Sequence, residues 1–327
     1  MANTNIKIVY GGGTFSADTN WSTPEAVKEV LEILDEHGVN HIDTAQSYPN
    51  SEELLGRADA ASRFLIATKD IGALAGGTAS KQDVIVRGEA SLKKLNMDKL
   101  DILYLHAPDR KTPLAETLAG VNELYKAGKF SRLGLSNFRA NEVEEVVRIA
   151  EENNYIIPTV YQGLYSAVTR RQEKELFPTL RKLGIAFYAY SPLAGGFLVK
   201  SKKQILENPK GRWDPNTLSG KIFAHVYGKT ELLDSLEKWE QISKESEISK
   251  AELGYRWVAY HSYLKGELGD AIIIGASSHS QLKQTLEGLK NGPLEGKVVR
   301  KIEEFWQLVE TAAPLDFFND FLAFASF

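Results

Sequence analysis

The stretch HIDTAQSYPNSEELLG, residues 41–56, contains the unit from which we predict the whole fold to be built. It begins as a short apolar strand over residues 41–45, passes through a polar loop that carries Tyr48, and continues as the start of a helix. The same order of strand, loop and helix recurs along the chain. Such alternation is typical of an α/β protein with a parallel sheet.

Eight segments have the short apolar character of strands, and a longer amphipathic segment follows each of them. Parallel strands that are buried on both faces are almost continuously apolar, as IAFYAY and DAIIIGA are. Eight such units predict a closed (β/α)₈ TIM barrel, formed as a single domain over residues 1–327. The predicted strands are residues 6–12, 41–45, 64–69, 100–107, 131–137, 158–163, 185–190 and 270–276.

An open doubly wound sheet is the alternative architecture. It is disfavoured because no G-x-G-x-x-G motif follows any predicted strand. Gly72 and Gly77 have the spacing of a Walker loop, but Thr78 stands where that loop needs lysine. Neither phosphate-binding loop is therefore present in its usual form.

Several residues predict where helices begin and end. Thr23 followed by Pro24 predicts an N-cap and a first helical residue. Left-handed caps are expected at Gly38, Gly128 and Gly184, and capping boxes at Asn50 with Glu53 and at Asn141 with Glu144.

Two segments are predicted to be irregular. About 40 residues separate Tyr190 from the next clear helix, near 229–244, and loops of that length are usually functional. The second segment is the phenylalanine-rich tail that follows a helix at 297–311. This tail is expected either to pack at the barrel rim or to line a substrate pocket.

The composition excludes several classes of function. The net charge of -4 predicts no general affinity for nucleic acid or an anionic membrane surface. The chain has no cysteine, which excludes disulfides, thiolate zinc sites and cysteine nucleophiles. No signal peptide or apolar run of transmembrane length is evident, so a cytoplasmic protein is expected. His37 and His41 have metal-ligand spacing, but Gly38 interrupts the helix between them, and no metal site is predicted.

Polar side chains collect where the predicted strands end. The active site of a (β/α)₈ barrel lies at the C-terminal ends of its strands, so these side chains are expected to face one mouth. The residues at these ends and on the loops beside them are Asp43, Tyr48, Lys69, His106, Ser136, Asn137, Gln162, Tyr190 and Ser191.

Four of these residues form a chemically coherent set. A phenol has a free pKa of about 10, so Tyr48 needs help to act as an acid near neutral pH. Lys69 beside Tyr48 would stabilise the phenolate, and Asp43 would pair with the buried ammonium. His106 would donate a hydrogen bond to a substrate oxygen while Tyr48 gives the proton. Nothing in the chain is a hydride donor, so a nicotinamide cofactor is implied.

These motifs resemble those of the aldo-keto reductases over essentially the whole chain. The motifs are DTAQSY around Asp43 and Tyr48, ATK at Lys69, YLHAPD at His106, GLSNF at 134–138 and IIIGASS at 272–278. VYQGLYSA, YSPLAGGFL and GRW look most like the aflatoxin-aldehyde reductase branch. That resemblance implies the barrel fold, the reduction of aldehydes or dicarbonyls with NADPH, and a possible homodimer.

The resemblance also implies roles for individual residues. Asp43, Tyr48, Lys69 and His106 would form the catalytic tetrad. Phe15 and Trp213 would join Tyr48 and His106 in the wall of the substrate pocket. The residues expected to hold the cofactor are Ser136, Asn137, Gln162, Tyr190, Ser191, Leu193, Gly195, Lys200, Arg212, Ser277, Ser278, Gln281, Gln284 and Thr285.

The adenosine end of this expected site departs from the family pattern. Gln281 stands where many members have arginine, the natural partner of a 2′-phosphate, and Thr285 stands where they often have asparagine. Lys200, Arg212 and Lys283 are candidates to replace the missing charge. Ser278 and Gln281 also fit a capping box, which would give Gln281 a structural role.

Three alternatives remain open for the function. The same residues would serve an aryl-alcohol dehydrogenase that works mainly in the oxidising direction. A nicotinamide-binding regulatory subunit with little turnover would share the fold, and so would an isomerase or lyase for phosphorylated sugars.

Overall fold

The computed structural model describes residues 6–17, 19–72, 74 and 77–324. Eight parallel strands, paired in chain order, form a closed barrel in which β1 also pairs with β8. The (β/α)₈ prediction is therefore confirmed. The strands are β1 Lys7–Gly11, β2 His41–Asp43, β3 Leu65–Asp70, β4 Leu100–Leu105, β5 Phe130–Ser136, β6 Pro158–Leu164, β7 Ala186–Tyr190 and β8 Ala271–Ile274.

The helices form a layer outside the barrel, and several of them belong to the connections after β6 and β7. In chain order they are α1 Pro24–Glu36, α2 Ser51–Arg57, α3 Lys81–Leu95, α4 Leu114–Lys126, α5 Ala140–Glu152, α6 Gln172–Glu175, α7 Phe177–Lys182, α8 Lys202–Leu206, α9 Leu218–Tyr227, α10 Thr230–Ser246, α11 Lys250–His261, α12 His279–Lys290, α13 Gly296–Val309 and α14 Phe317–Phe324. Among the described residues, no helix has the length and apolarity needed to cross a membrane.

Strand alternation divides the apolar side chains between two cores. Successive side chains of a strand point to opposite faces, so every second residue points into the barrel. The larger core lies between the barrel and the helices. The smaller core fills the barrel and consists of Val9, Ala67, Ile102, Tyr104, Val160, Ala186, Tyr188, Ala271 and Ile273.

Some predicted helix boundaries are confirmed. Thr23 caps α1 by accepting a hydrogen bond from the backbone N–H of Ala26 at 3.2 Å, with Pro24 in the first turn. Gly38, Gly128 and Gly184 have φ values of 69°, 73° and 67°, so they adopt the left-handed conformation that their positions predicted.

Both other capping predictions were wrong. Asn50 precedes α2 in a left-handed conformation, with φ of 62°, and its side chain makes no capping hydrogen bond. Helix α5 begins at Ala140, before Asn141, and the Glu142 carboxylate accepts from the backbone N–H of Arg139 at 2.7 Å. The predicted start of α2 is thus correct although the capping hydrogen bond is missing, whereas α5 begins two residues earlier than the capping box predicted.

Helices also occupy the two segments predicted to be irregular. The connection between β7 and β8 contains α8 and α9 before α10, and the tail contains α14. Phe223 and Tyr227 of α9 contact Phe317 of α14, with ring centroids 5.1 and 6.1 Å apart. These helices are short, and aromatic packing between them stabilises them. Local sequence periodicity does not predict such contacts between distant segments.

Candidate active site

Strand register brings the polar side chains together at one end of the barrel. Asp43 pairs with Ala67, and Lys69 pairs with Tyr104, in the ladders between β2, β3 and β4. Since Ala67 and Tyr104 point into the barrel, Asp43 and Lys69 do so as well. The same alternation sends Ser136, Gln162 and Tyr190 inward from β5, β6 and β7.

Lys69 is the centre of the site and is fully buried. Its Nζ donates to Asp43 Oδ2 at 2.5 Å and to the backbone oxygen of Thr44 at 2.8 Å. Asp43 is also buried, and its other oxygen, Oδ1, accepts a hydrogen bond from Gln162 Nε2 at 2.8 Å. The Asp43 carboxylate thus accepts hydrogen bonds from Lys69 on β3 and from Gln162 on β6, and it fixes the position of the ammonium.

Lys69 remains cationic although it is buried. Burial lowers the pKa of the ammonium, but the charge of Asp43 and the interaction with Tyr48, including hydrogen bonding to both, outweigh burial and raise the pKa above its usual value. The ammonium also lies 5.1 Å from the centroid of the Tyr48 ring. The pair predicted from the sequence therefore has the geometry needed to place a fixed positive charge beside the phenol.

His106 lies across the mouth from this pair and meets Tyr48 edge to face. The two ring centroids are 6.1 Å apart and the ring planes make an angle of 86°. Burial, followed by the positive charge of Lys69, lowers the pKa of His106 to about 3. The imidazole is therefore neutral near pH 7, with one nitrogen as a donor and the other as an acceptor. Ser47 Oγ lies 3.4 Å from Nδ1.

Short-range hydrogen bonds fix the loop that carries Tyr48. The backbone N–H of Tyr48 donates to Ala45 O at 3.0 Å, and Ser51 Oγ donates to Gly12 O at 2.9 Å. Thr44 and Ser51 join their hydroxyl groups at 2.6 Å. These contacts tie the loop after β2 to the end of β1, so the phenol is presented on a supported turn.

Ser136, Asn137 and Tyr190 lie beside His106. Asn137 has a left-handed backbone conformation, with φ of 63°. Its Nδ2 donates to His106 O at 2.8 Å and to Ser136 Oγ at 3.2 Å. The Tyr190 ring stacks against Phe317 of α14, with centroids 6.0 Å apart. A carboxamide side chain and an aromatic ring thus lie next to the candidate acid, as an aromatic carboxamide such as nicotinamide would require.

The loop after β7 starts with a strained backbone. Ser191 and Ala194 have positive φ values of 54° and 51°, although neither is glycine. Such residues cluster at ligand sites, where the surrounding structure holds them in place. Gly195 also has a positive φ, and a side chain there would overlap the Phe223 ring. Trp213 Nε1 donates to Gly195 O at 3.3 Å, which joins the 211–213 turn to this loop.

At the start of α12 the Ser278 side chain caps the helix. Ser278 Oγ accepts from the backbone N–H of Gln281 at 3.3 Å, and Gln281 Oε1 accepts from the N–H and hydroxyl of Ser277 at 3.0 and 2.8 Å. Ser278 therefore caps the helix as predicted, but the Gln281 side chain bonds Ser277 and not the backbone N–H of Ser278, so the capping box is incomplete. Because the Gln281 oxygen is occupied, its remaining outward group is a neutral amide.

A cation of the long loop lies near this helix start. The charge of Arg212 acts on Tyr255, whose hydroxyl donates to Gly275 O at 3.1 Å, directly after β8. Arg212 is exposed, and so are Lys283 and Gln284 on α12. A helix N-terminus with hydroxyl groups and a nearby guanidinium fits the phosphates of a dinucleotide. The hydroxyl groups and the guanidinium at this helix start are therefore compatible with the phosphates of a nicotinamide dinucleotide.

The structure places the other predicted residues as follows. Phe15 is fully buried against Tyr10 and Trp21, with centroids 5.6 and 6.0 Å away. Trp213 is buried between Phe197 and Phe223. Both rings are thus packing residues in this conformation, and their contact with a substrate stays a prediction. Leu193, Lys200 and Thr285 are half-buried on the loop and on α12.

Three residues near the site were missed by sequence reasoning. Tyr104 lies beneath Lys69, with its ring centroid 5.7 Å from Nζ. Phe317 covers Tyr190, and Asn319 Nδ2 donates to Asn137 O at 3.2 Å. The strand alternation of LDILYLHA carried a signal for Tyr104, since it stands two residues before His106. The two residues of α14 carried no such signal.

No cation site accompanies this cluster in the part of the chain that the structure describes. No three histidine, aspartate or glutamate side chains of those residues are grouped so as to hold a metal ion.

A parallel eight-stranded barrel with polar groups at its C-terminal mouth is a common framework for enzymes, and comparison with known proteins gives the class. Residues 7–307 match the model of the aldo/keto reductase family, and the chain belongs to that family of oxidoreductases. The family generally uses nicotinamide cofactors.

Several relatives match most of this chain. Oxidoreductase sirO of Leptosphaeria maculans is 41% identical, over 89% of this chain and 89% of that protein. Human aflatoxin B1 aldehyde reductase member 4 is 40% identical, over 85% and 88%. Aldo-keto reductase pigE of Monascus ruber is 34% identical, over 94% and 96%. The likeness to the aflatoxin-aldehyde reductase branch expected from the sequence is therefore confirmed.

Proposed function

We propose that this protein reduces aldehydes or reactive ketones to alcohols with NADPH, and that Tyr48 is the general acid. The observation that carries the proposal is the fixed, buried Lys69–Asp43 pair beside the Tyr48 ring at the barrel mouth. Relatives named as aldehyde reductases support the choice of a carbonyl substrate.

Each of the four residues has one task in this reaction. NADPH held at the mouth would supply the hydride for the carbonyl carbon. Tyr48 donates the proton of its hydroxyl to the carbonyl oxygen, and the Lys69 ammonium stabilises the phenolate that remains. Asp43 keeps Lys69 charged and in place. Neutral His106 donates a hydrogen bond to the same carbonyl oxygen and so fixes the direction of the carbonyl group.

The residues expected to hold the cofactor divide into two ends. Ser136, Asn137 and Gln162 offer polar groups for the carboxamide, and Tyr190 offers its ring for the nicotinamide. The remaining expected residues would hold the phosphates and adenosine: Ser191, Leu193, Gly195, Lys200, Arg212, Ser277, Ser278, Gln281, Gln284 and Thr285. Gln162 can keep its hydrogen bond to Asp43, because its amide has a second N–H and an acceptor oxygen for the carboxamide.

The first experiment follows NADPH oxidation at 340 nm with a panel of aromatic aldehydes and dicarbonyls. The reverse reaction is measured with the matching alcohols and NADP+. We expect saturable reduction with a higher kcat/KM than alcohol oxidation at neutral pH. Faster oxidation would instead make the protein an alcohol dehydrogenase. Tight NADPH binding without turnover in either direction would point to a regulatory subunit and contradict the proposal.

Cofactor choice is tested at Arg212. Arg212→Gln is expected to raise the Kd for NADPH by about tenfold while leaving that for NADH within about twofold, because only NADPH has a 2′-phosphate for the guanidinium. Lys210→Gln is the matched control, since Lys210 is an exposed cation on the same loop. Equal losses for both cofactors would show that Arg212 does not recognise the 2′-phosphate.

A further inference from the structure

Tyr104 is a buried residue of the barrel interior that also contacts the Lys69 ammonium. It pairs in register with Lys69 on β3, and its side chain points into the barrel on the same face as that lysine. The Lys69 ammonium lies 5.7 Å from the Tyr104 ring centroid and 5.1 Å from the Tyr48 ring centroid. Both distances fall within the range of cation–π attraction. The ammonium is therefore flanked by two aromatic rings.

A glycine on the adjacent strand β5 leaves space for the Tyr104 ring. Tyr104 also pairs in register with Gly134 on β5. A Cβ atom on Gly134 would overlap the Tyr104 ring, so any larger residue there would push the ring from its place. Lys69, Tyr104 and Gly134 are thus neighbours in register on β3, β4 and β5, and the missing side chain of Gly134 leaves the space that the Tyr104 ring occupies.

The Tyr104 hydroxyl is not the feature that acts on the lysine. It is buried and makes no well-formed hydrogen bond with any residue that the structure describes. Burial, and after it the charge of Asp43, raises the pKa of Tyr104 well above its usual value, so the phenol stays neutral. The group that interacts with this neutral hydroxyl is the Gln162 side chain, whose effect on the Tyr104 pKa is smaller than that of burial. The contact of Tyr104 with Lys69 is therefore the ring face.

We propose that Tyr104 is a positioning residue for the reduction, and that its ring supports the Lys69 ammonium from beneath and keeps it directed at Tyr48. The inference rests on the proposed function, in which Lys69 acts through Tyr48. It adds a residue that contacts neither the expected substrate nor the expected cofactor. Its ring centroid lies 5.7 Å from the ammonium, and the ring limits the freedom of that group.

The decisive comparison is between variants that keep the ring and variants that lose it. Tyr104→Phe keeps the ring, and we expect kcat within about threefold of wild type. Tyr104→Leu and Tyr104→Met lack the ring, and we expect kcat to fall about ten- to a hundredfold with little change in KM. The alkaline limb of the kcat profile should move to higher pH, because the ammonium is held less firmly against the Tyr48 oxygen. The methionine variant keeps most of the volume, in case the leucine variant folds poorly.

Tyr188→Leu provides the matched control for a cavity. Tyr188 is another buried tyrosine of the barrel interior, and its hydroxyl faces Arg132 at 3.4 Å rather than Lys69. We expect this variant to lose stability and keep the wild-type pH profile. An equal loss of kcat in Tyr104→Phe, or in Tyr188→Leu, would overturn the proposal. So would wild-type kinetics in both variants that lack the ring.

Gly134→Ala gives an independent test from the other side of the ring. In wild type it should displace the ring and lower kcat. In the Tyr104→Leu background it should add no further loss, because no ring remains to be displaced. Losses that multiply in the double variant would contradict the proposal.

A readout without turnover separates this inference from the proposed function. The Lys69 Nζ signal of ¹⁵N-lysine-labelled, cofactor-free protein is assigned by its loss in Lys69→Met. We expect it to shift or broaden in Tyr104→Leu and to stay in place in Tyr104→Phe and Tyr188→Leu. If wild type reduces no carbonyl, the proposed function fails, but this signal still decides whether the ring positions Lys69. An unchanged signal in Tyr104→Leu would overturn the inference.

Discussion

Lys69 is a charged side chain buried inside the barrel, and a single carboxylate makes that burial tolerable. Separating either partner from the other leaves an uncompensated charge in an apolar environment, which typically costs several kcal/mol. The pair is therefore both the device that acts on Tyr48 and a point on which the local structure depends. Substitution of Lys69 or Asp43 is therefore expected to lower both activity and stability.

A double-mutant cycle at this pair tests that dependence. Lys69→Met should lower the free energy of unfolding by about 3–5 kcal/mol, because it leaves Asp43 buried with Gln162 as its remaining side-chain donor. Lys69→Met combined with Asp43→Asn should be less destabilised than Lys69→Met alone. Urea unfolding of wild type, the two variants and Asp43→Asn alone completes the cycle. Additive losses would show that the two residues do not depend on each other.

At the residue scale the sequence predicted a good part of what the structure shows. Asp43, Lys69 and His106 each stand at or just past the end of an apolar strand, where the barrel rule places functional groups. The contact between Gln162 and Asp43 was not predicted, because it joins β2 and β6 across the barrel and depends on register. Tyr104 was passed over because an apolar strand was read as core.

Helix α14 contacts the candidate site and was not predicted from the sequence. Phe317 stacks on Tyr190, while Arg110 and Asn137 O hold Asn319 by hydrogen bonds of 2.9 and 3.2 Å. The helix thus braces two residues expected to contact the nicotinamide. It also packs on α9, so the tail and the long loop support each other at the mouth.

Removal of the bracing ring should weaken cofactor binding. Phe317→Ala should raise the Kd for NADPH by about three- to tenfold, since an aromatic pair contributes about 0.5–1.5 kcal/mol beyond its buried area. Tyr125→Ala is the control, because Tyr125 is a partly exposed ring that packs against Phe130 and contacts no residue of α14 that the structure describes. Quenching of tryptophan fluorescence measures both. A Kd unchanged by Phe317→Ala would show that α14 does not brace the site.

The elements of the barrel were predictable and the additions to it were not. Each barrel strand is a local apolar run, and its position in the barrel follows from chain order. Helices α9 and α14 are stabilised by aromatic contacts between segments about a hundred residues apart, as in the contact between Phe223 and Phe317. No local pattern contains that information.

Three partly buried histidines, His41, His106 and His261, have a lowered pKa, and their titration links the stability of the protein to pH. Burial, then the charge of Lys69, lowers the pKa of His106 to about 3, and burial, then the charge of Lys7, lowers that of His41 to about 4. In the unfolded chain all three titrate near the usual value of about 6.5. Below that pH the unfolded state binds more protons than the folded state, so the free energy of unfolding falls as pH falls.

This linkage can be measured as a slope. Between about pH 6 and pH 4, His106→Gln should reduce the dependence of unfolding free energy on pH by up to about one bound proton. His41→Gln should do the same at the opposite end of the barrel. Urea denaturation at half-unit steps of pH provides the slopes. An unchanged slope in His106→Gln would mean that the imidazole is already protonated in the folded protein.

The central claim is that Tyr48 gives the proton, and Tyr48→Phe tests it most directly. NADPH oxidation with a reactive aromatic aldehyde is compared in wild type, Tyr48→Phe and Tyr260→Phe. The last variant is the control, since it removes a hydroxyl that donates to Leu289 O at 2.6 Å, away from the mouth. We predict that kcat falls by about 10²–10⁴-fold in Tyr48→Phe alone, with the Kd for NADPH retained. Equal rates in wild type and Tyr48→Phe would contradict the account.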